Sequence, residues 1–231
     1  EIVAGCGLER ELASFVGRFD LPIQHGMTLG ELAQLLNVTG NPTPAALDVV
    51  ACEGYTRSMR WEETGLPFVP PSPNMPNLLT ARHYPGACLI EGTILSEGRG
   101  TALPFQIVGA PFINADHLAD ALNALGSAGC RFRPHRFQPT RSKFAEQVCG
   151  GVHVHITDAQ SYEPIATWLH VIATIRTQYP DEFQWTQFFD KLIGSEQPRR
   201  LLKAGADVAT VMADWAGYGA DFRESRTPYL L

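Results

Sequence analysis

Glu91, Glu97 and Arg99 sit on one glycine-rich stretch, IEGTILSEGRGT, directly after the apolar residues Ala87, Cys88, Leu89 and Ile90. Such groups suit acid–base hydrolysis. One carboxylic acid protonates the leaving group, and a second group acts as base or nucleophile about 5 to 10 Å away. Glu91 and Glu97 are six residues apart, which in an extended strand is a separation of ~20 Å. They pair only if the loop folds back, a course that Gly92, Gly98 and Gly100 permit. A simpler arrangement sets one glutamate in the site opposite a carboxylate from elsewhere and leaves the other to brace the loop. Glu97 is the first candidate for acid or base, and Glu91, nearer the apolar run, the second. Arg99 either locks a glutamate or grips an anionic ligand through two parallel bonds. The plain alternative is a solvated turn after a strand, and the density of ionisable groups argues against it.

Other polar residues have types and settings suited to holding a ligand. Ser72 and Asn74 lie in PPSPNMP, short polar side chains on a backbone that neighbouring prolines stiffen. Ser96 adds a hydroxyl to the acidic loop. His25, in QHGMTLGE just before a helix start, is either a substrate-orienting donor or a loop histidine bonded to backbone. RFRPHRFQPTR gathers Arg131, Arg133, Arg136 and Arg141; an anion or sugar-acid site is one reading and the solvated face of a strand the other, with Arg141 the candidate to face a shared cleft. His153 and His155, at i and i+2 on a strand, share a face and could share a metal. No third ligand stands at a telling distance, so an ordinary polar strand face is favoured and no metal is assigned.

These residues need a scaffold, and composition bounds it. The chain has 231 residues, 45% hydrophobic and 18% charged, enough for one large domain or two small ones. A net charge of -6 argues against a nucleic-acid binder that relies on phosphate neutralisation. No apolar run reaches about 18 residues, so no membrane span is expected. The five cysteines form no CxxC and no regular spacing, against a zinc ribbon or a disulfide framework; Cys52 and Cys88 read as small buried residues. No GxGxxG follows a strand, which leaves a nicotinamide enzyme weak, and no cofactor is implied.

The elements follow from local pattern. MTLGELAQLLN predicts a helix capped by Thr28 with Glu31 closing a capping box, and Leu29, Leu32, Ala33, Leu35 and Leu36 as its apolar face. ALDVVAC reads as a short buried strand. GLPFVPPSPNMPNLLTARHYPG reads as a long irregular binding loop, because its prolines lack donors. ACLIEGTIL reads as a fully buried strand, and strand, helix and strand in order suggest an α/β layer with a parallel component. Further on, NADHLADALNAL is a helix capped by Asn114 or Asp116, CRFRPHRFQPT and GGVHVHITD are strands, and EPIATWLHVIATIRTQYP is a helix stopped by Pro180. Short helices separated by Gly194, Gly205 and Gly217 complete the chain. The texture change near Gly109 divides it into residues 1–108 and an α+β domain over 109–231.

Six blocks carry a resemblance: HGMTLGELA, TGLPFVPPSPNMP, YPGACLIEGTILSEGRGT, PFQIVGAPF, CGGVHVHITD and RTPYLL. In this order, along nearly all of the chain, they resemble the DUF1343 family, whose characterised members are exo-β-N-acetylmuramidases of the NamZ type, glycoside hydrolases acting on peptidoglycan fragments. The resemblance implies an α/β protein: the C-terminal part of a Rossmann-like domain over 1–108, a smaller α+β domain over 109–231, and the site in the cleft between them. It also implies a chain that enters partway through the first domain, with further acidic residues upstream. Three positions depart from the family pattern: Ile94 stands where Asn is usual, Cys6 where Pro is common and Tyr55 where Trp is common.

With that substrate class, Glu97 and Glu91 are the catalytic candidates, and Arg99, Ser72, Asn74, His25, Ser96 and Arg141 the candidates to bind a peptidoglycan-derived saccharide. Arg99, then Arg141, would read the lactyl carboxylate of N-acetylmuramic acid. A bacterial protein, secreted or periplasmic rather than cytoplasmic, is expected, although the first residues show no charged-then-apolar leader. The alternative is a non-catalytic module that binds cell-wall sugars, or an inactive fragment.

Overall fold

The computed structural model describes residues 2–231. Helix α1 (Leu29–Thr39) starts at the predicted capping box: Thr28 Oγ1 accepts from Glu31 N, and the Glu31 carboxylate accepts from Thr28 N at 2.7 Å. Its apolar face is only partly used. Leu35 is buried while Leu29 is 87% exposed, and the helix instead buries Glu31, which accepts from the Arg57 guanidinium and the Leu231 amide.

Residues 41–76 run as irregular, mostly exposed chain, interrupted by a 3-10 turn at Trp61–Thr64. The strand expected at ALDVVAC does not form. Val50 and Cys52 are exposed there, because the segment has no partner strand among the described residues and an apolar run does not select a strand alone. The proline segment is irregular as expected, but only to Asn77. There the Asn77 side chain accepts from Thr80 N and starts α2 (Leu78–Ala87), which carries Pro85 in its last turn.

The second expected strand is helical instead. Cys88–Gly92 forms a 3-10 turn continuous with α2, with Leu89 and Ile90 fully buried. A short apolar run has the same signature in a buried strand and a buried helix, and here α2 feeds it as helix.

Strands β1 (Ile107–Ala110), β2 (Cys130–Phe137) and β3 (Cys149–Ile156) form one sheet in the order β1-β3-β2, antiparallel throughout. The expected parallel component is thus absent from the described residues. β2 and β3 lie where alternation predicted them. Helix α3 (Ala115–Ala124), capped by Asn114, and α4 (Pro164–Gln178), which ends just before Pro180, cover the face bearing Phe132, Val152 and Val154. Four short helices follow: α5 (Phe188–Ile193), α6 (Gln197–Lys203), α7 (Val208–Ala213) and α8 (Trp215–Arg226). Gly194 ends α5 in a left-handed conformation, whereas Gly217, expected to separate helices, lies inside α8.

The architecture is a mixed α/β one with a continuous main core. Cys6, Leu89, Leu95, Val108, Leu122, Trp168 and Trp215 belong to a single buried cluster, in which each large apolar side chain contributes about 1.5 to 3 kcal/mol. Among the described residues no helix is long and apolar enough to cross a membrane.

Candidate active site

The acidic loop folds back on itself. After the buried 3-10 turn, Thr93 bridges Trp185, and Ser96 exchanges two backbone hydrogen bonds with Gly109 at the start of the sheet. Gly98 and Gly100 then take φ of +80° and +82°, and Phe105 N donates to Glu97 O to close the loop. Both glycines are required: a Cβ at Gly98 would meet Ile107 Cγ1 at 2.6 Å, and one at Gly100 would meet the Arg141 backbone at 2.7 Å.

This turn brings the two glutamates to one nitrogen. Arg99 Nη1 donates to Glu91 Oε2 at 2.7 Å and to Glu97 Oε1 at 2.9 Å. Their bonded oxygens therefore lie no farther apart than these two bonds laid end to end, short of the about 6.5 to 9.5 Å that leaves room for a water in inverting glycosidases. Arg99 lies over the Phe105 ring at 4.8 Å, and Phe105 meets Tyr84 edge-on. Burial pushes the Arg99 guanidinium down, but its bonds to Glu91 and Glu97 outweigh this and its pKa is raised.

The glutamates differ in setting. The Glu97 side chain is 2% exposed, and its Oε2 accepts no well-angled hydrogen bond, although the Lys143 ammonium lies 3.2 Å away as an ion pair. Glu91 is 18% exposed and borders a cavity of about 760 Å³, within the usual range for small-molecule sites. His25, Tyr84 and Arg99 share that wall, with apolar surface from Phe15, Phe19 and Phe188 and cations from Arg18 and Lys191. His25 Nδ1 accepts from Met27 N, and burial followed by the nearby Arg226 charge lowers its pKa.

The remaining candidates stand apart from this cavity. Ser96 Oγ accepts from Gly98 N and holds the loop. Ser72 Oγ accepts from Asn74 N, and Asn74 Oδ1 accepts from Arg141 Nη2 at 3.2 Å, so the proline-rich segment touches the loop after β2. Lys143, two residues beyond Arg141, was not singled out from sequence; it lies just past RFRPHRFQPTR, where no pattern marked it. Tyr84, Arg18 and Lys191 were also missed, and only Tyr84 lies in the motif.

His153 and His155 do share a face, with ring centroids 3.9 Å apart and His135 5.8 Å from His153. Among the described residues no group of three or more His, Cys, Asp or Glu is placed to hold a metal ion. Burial, then His155, His135 and Arg133, lowers the His153 pKa to about 4.

Residues 82–231 match the family described as exo-beta-N-acetylmuramidase NamZ, C-terminal, and residues 1–79 match its N-terminal counterpart. The chain belongs to the NamZ family. It is 42% identical to the peptidoglycan beta-N-acetylmuramidase NamZ of Bacillus subtilis (strain 168), across 99% of this chain and 56% of that protein. Two crystal structures of DUF1343 family proteins from Bacteroides fragilis NCTC 9343 are similar. One is 31% identical with a TM-score of 0.93, covering all of this chain and 62% of that one; the other is 27% identical with a TM-score of 0.75, covering 99% and 62%. The chain thus spans little more than half the length of these NamZ relatives.

Proposed function

We propose that this chain forms part of a glycosidase that releases terminal N-acetylmuramic acid from peptidoglycan fragments. The observation that carries the proposal is the Glu91 carboxylate, fixed by Arg99 and bordering a cavity lined also by Phe15, Phe19, Phe188, Arg18 and Lys191. The NamZ relative's printed activity supplies the substrate class. Because Arg99 occupies the gap between the glutamates, a sugar does not insert between them; Glu91 meets the substrate and Glu97 braces the loop. This reverses the order of candidates drawn from sequence, and the partner of Glu91 is a group outside the acidic loop. The Rossmann-like character of residues 1–108, the division at 108/109 and a site in an interdomain cleft remain parts of this reading.

Charge recognition also moves. Arg99 is engaged by two carboxylates and Arg141 by Asn74. Arg18 and Lys191 border the cavity and form no ion pair among the described residues, so they are the cations offered to a lactyl carboxylate.

The test is turnover of a chromogenic N-acetylmuramide by the full-length protein. Glu91→Gln should lower turnover at least ~100-fold, the usual scale for loss of an acid or base. Undiminished turnover removes Glu91 from the chemistry. Binding of the sugar without turnover in the wild type would instead establish a sugar-binding module without catalysis.

A further inference from the structure

The loop after β2 reaches into the acidic loop at several points. Thr140 donates through both its backbone N and its hydroxyl to Gly100 O, Arg141 reaches Asn74, and Lys143 enters the acidic loop itself. Lys143 Nζ donates to Leu95 O at 2.9 Å and Ile90 O at 3.2 Å, and lies 3.2 Å from Glu97 Oε2. Ile90 sits in the 3-10 turn that ends at Gly92, where its carbonyl also accepts from Thr93 N and Thr93 Oγ1, so the ammonium joins that turn as a third donor. One ammonium thus ties both ends of the segment between the two glutamates.

Holding Lys143 there costs the backbone. Its neighbours Ser142 and Phe144 take φ of +70° and +55°, and Glu146 takes +61°. Non-glycine residues in this left-handed region are strained and persist only where the surroundings impose them. Phe144, packed against Ile107, Phe137 and Cys149, and the Glu146 N to Pro139 O bond at 2.8 Å supply that constraint.

We infer that Lys143 is a positioning residue that gives the two glutamates unlike roles. Glu97 lies between two cations, Arg99 on Oε1 and Lys143 on Oε2, while Glu91 has Arg99 alone and borders the cavity. Lys143 compensates a buried oxygen that has no well-angled hydrogen bond, so Arg99 is not drawn wholly to Glu97 and stays available to orient Glu91. Without Lys143, Arg99 moves toward Glu97 and Glu91 loses its fixed position.

This inference rests on the glycosidase reading, and its test separates the two. Full-length wild type, Lys143→Met, Glu97→Gln and the double variant are compared for turnover of the chromogenic muramide and for urea unfolding. The expected result is a kcat about tenfold or more below wild type in Lys143→Met, the scale of a small displacement of a reacting group, with KM within about twofold. In the Glu97→Gln background the same substitution should change kcat little, because Lys143 acts through Glu97. Independent, multiplying losses in the double variant, or an unchanged kcat in Lys143→Met, overturn the inference. A wild type that turns over no muramide overturns the glycosidase reading instead. The unfolding cycle then decides alone: Lys143→Met should shift the urea midpoint in the wild-type background and not in Glu97→Gln, and equal shifts in both would dismiss Lys143 as a partner of Glu97.

Discussion

Glu91 and Glu97 are chemically identical side chains joined to one guanidinium nitrogen, and their surroundings make them different residues. Replacing Glu97 with Gln leaves Lys143 and Arg99 with less negative charge to face in a buried setting, and it should lower stability by about 1 to 3 kcal/mol. Glu91→Gln, in a half-open pair, should cost less than about 1 kcal/mol while abolishing most turnover. Urea denaturation of both variants checks the order, and equal losses would show that the glutamates share one structural role.

At the cavity mouth, Arg18→Gln and Lys191→Gln should weaken muramide binding by about 1 to 3 kcal/mol while leaving a neutral glucosaminide unaffected, because a cation left without its carboxylate discriminates strongly. Calorimetric titration of both sugars reads the difference; matching losses would make the two cations general contributors. Sequence could nominate Glu91, Glu97 and Arg99, since they share one motif. Arg18 and Lys191 lie far apart in the chain and meet only because residues 6–25 pack against α5.

At the scale of elements, legibility followed the kind of signal each element carries. Thr28 with Glu31, Asn114, and the alternation of β2 and β3 are local signals, and the structure follows them. ALDVVAC and ACLIEGTIL offered only an apolar run, which reports burial without choosing backbone geometry. The first is exposed and the second is a buried 3-10 turn. The acidic loop was legible as a loop because its glycines are needed, although its fold-back depends on β1 and on the loop after β2. Gly100→Ala tests that dependence. The substitution forces a left-handed alanine, costing about 1 to 2 kcal/mol, and its Cβ strikes the Arg141 backbone. It should lower the melting temperature and, by displacing the loop that carries Lys143, lower turnover too. Gly126→Ala, also at positive φ but in open space, is the control: strain without contact should reduce stability and spare activity. Loss of activity in both variants would mean that strain alone accounts for the effect.

At the scale of the whole molecule, the buried histidines set the response to acid. His83 ties α2 to the segment between β3 and α4 through a 2.7 Å bond to the Tyr162 hydroxyl, and Trp168 Nε1, in α4, donates to the same oxygen at 3.2 Å. Burial, then the neighbouring His153 and His155, brings the His83 pKa from 6.5 to about 3, and His153 falls to about 4. The unfolded chain therefore binds protons that the folded chain refuses. Stability is fully present above pH 6.5, begins to fall below it, and continues to fall to about pH 4 for His153 and about pH 3 for His83. His83, 1% exposed, contributes up to about 1.4 kcal/mol per pH unit across that window. Glu31 acts with the same sign lower down. Burial would raise its pKa, but the Arg57 guanidinium and the Leu231 and Thr28 amides bring it to about 2, so its contribution is present above 4.5 and is lost as pH falls through about 2. Unfolding free energy measured by urea from pH 8 to pH 4 should be flat to about 6.5 and then decline. In His153→Gln the decline should be shallower, because that position no longer takes up a proton on unfolding; a slope unchanged by the substitution would remove His153 from the acid response.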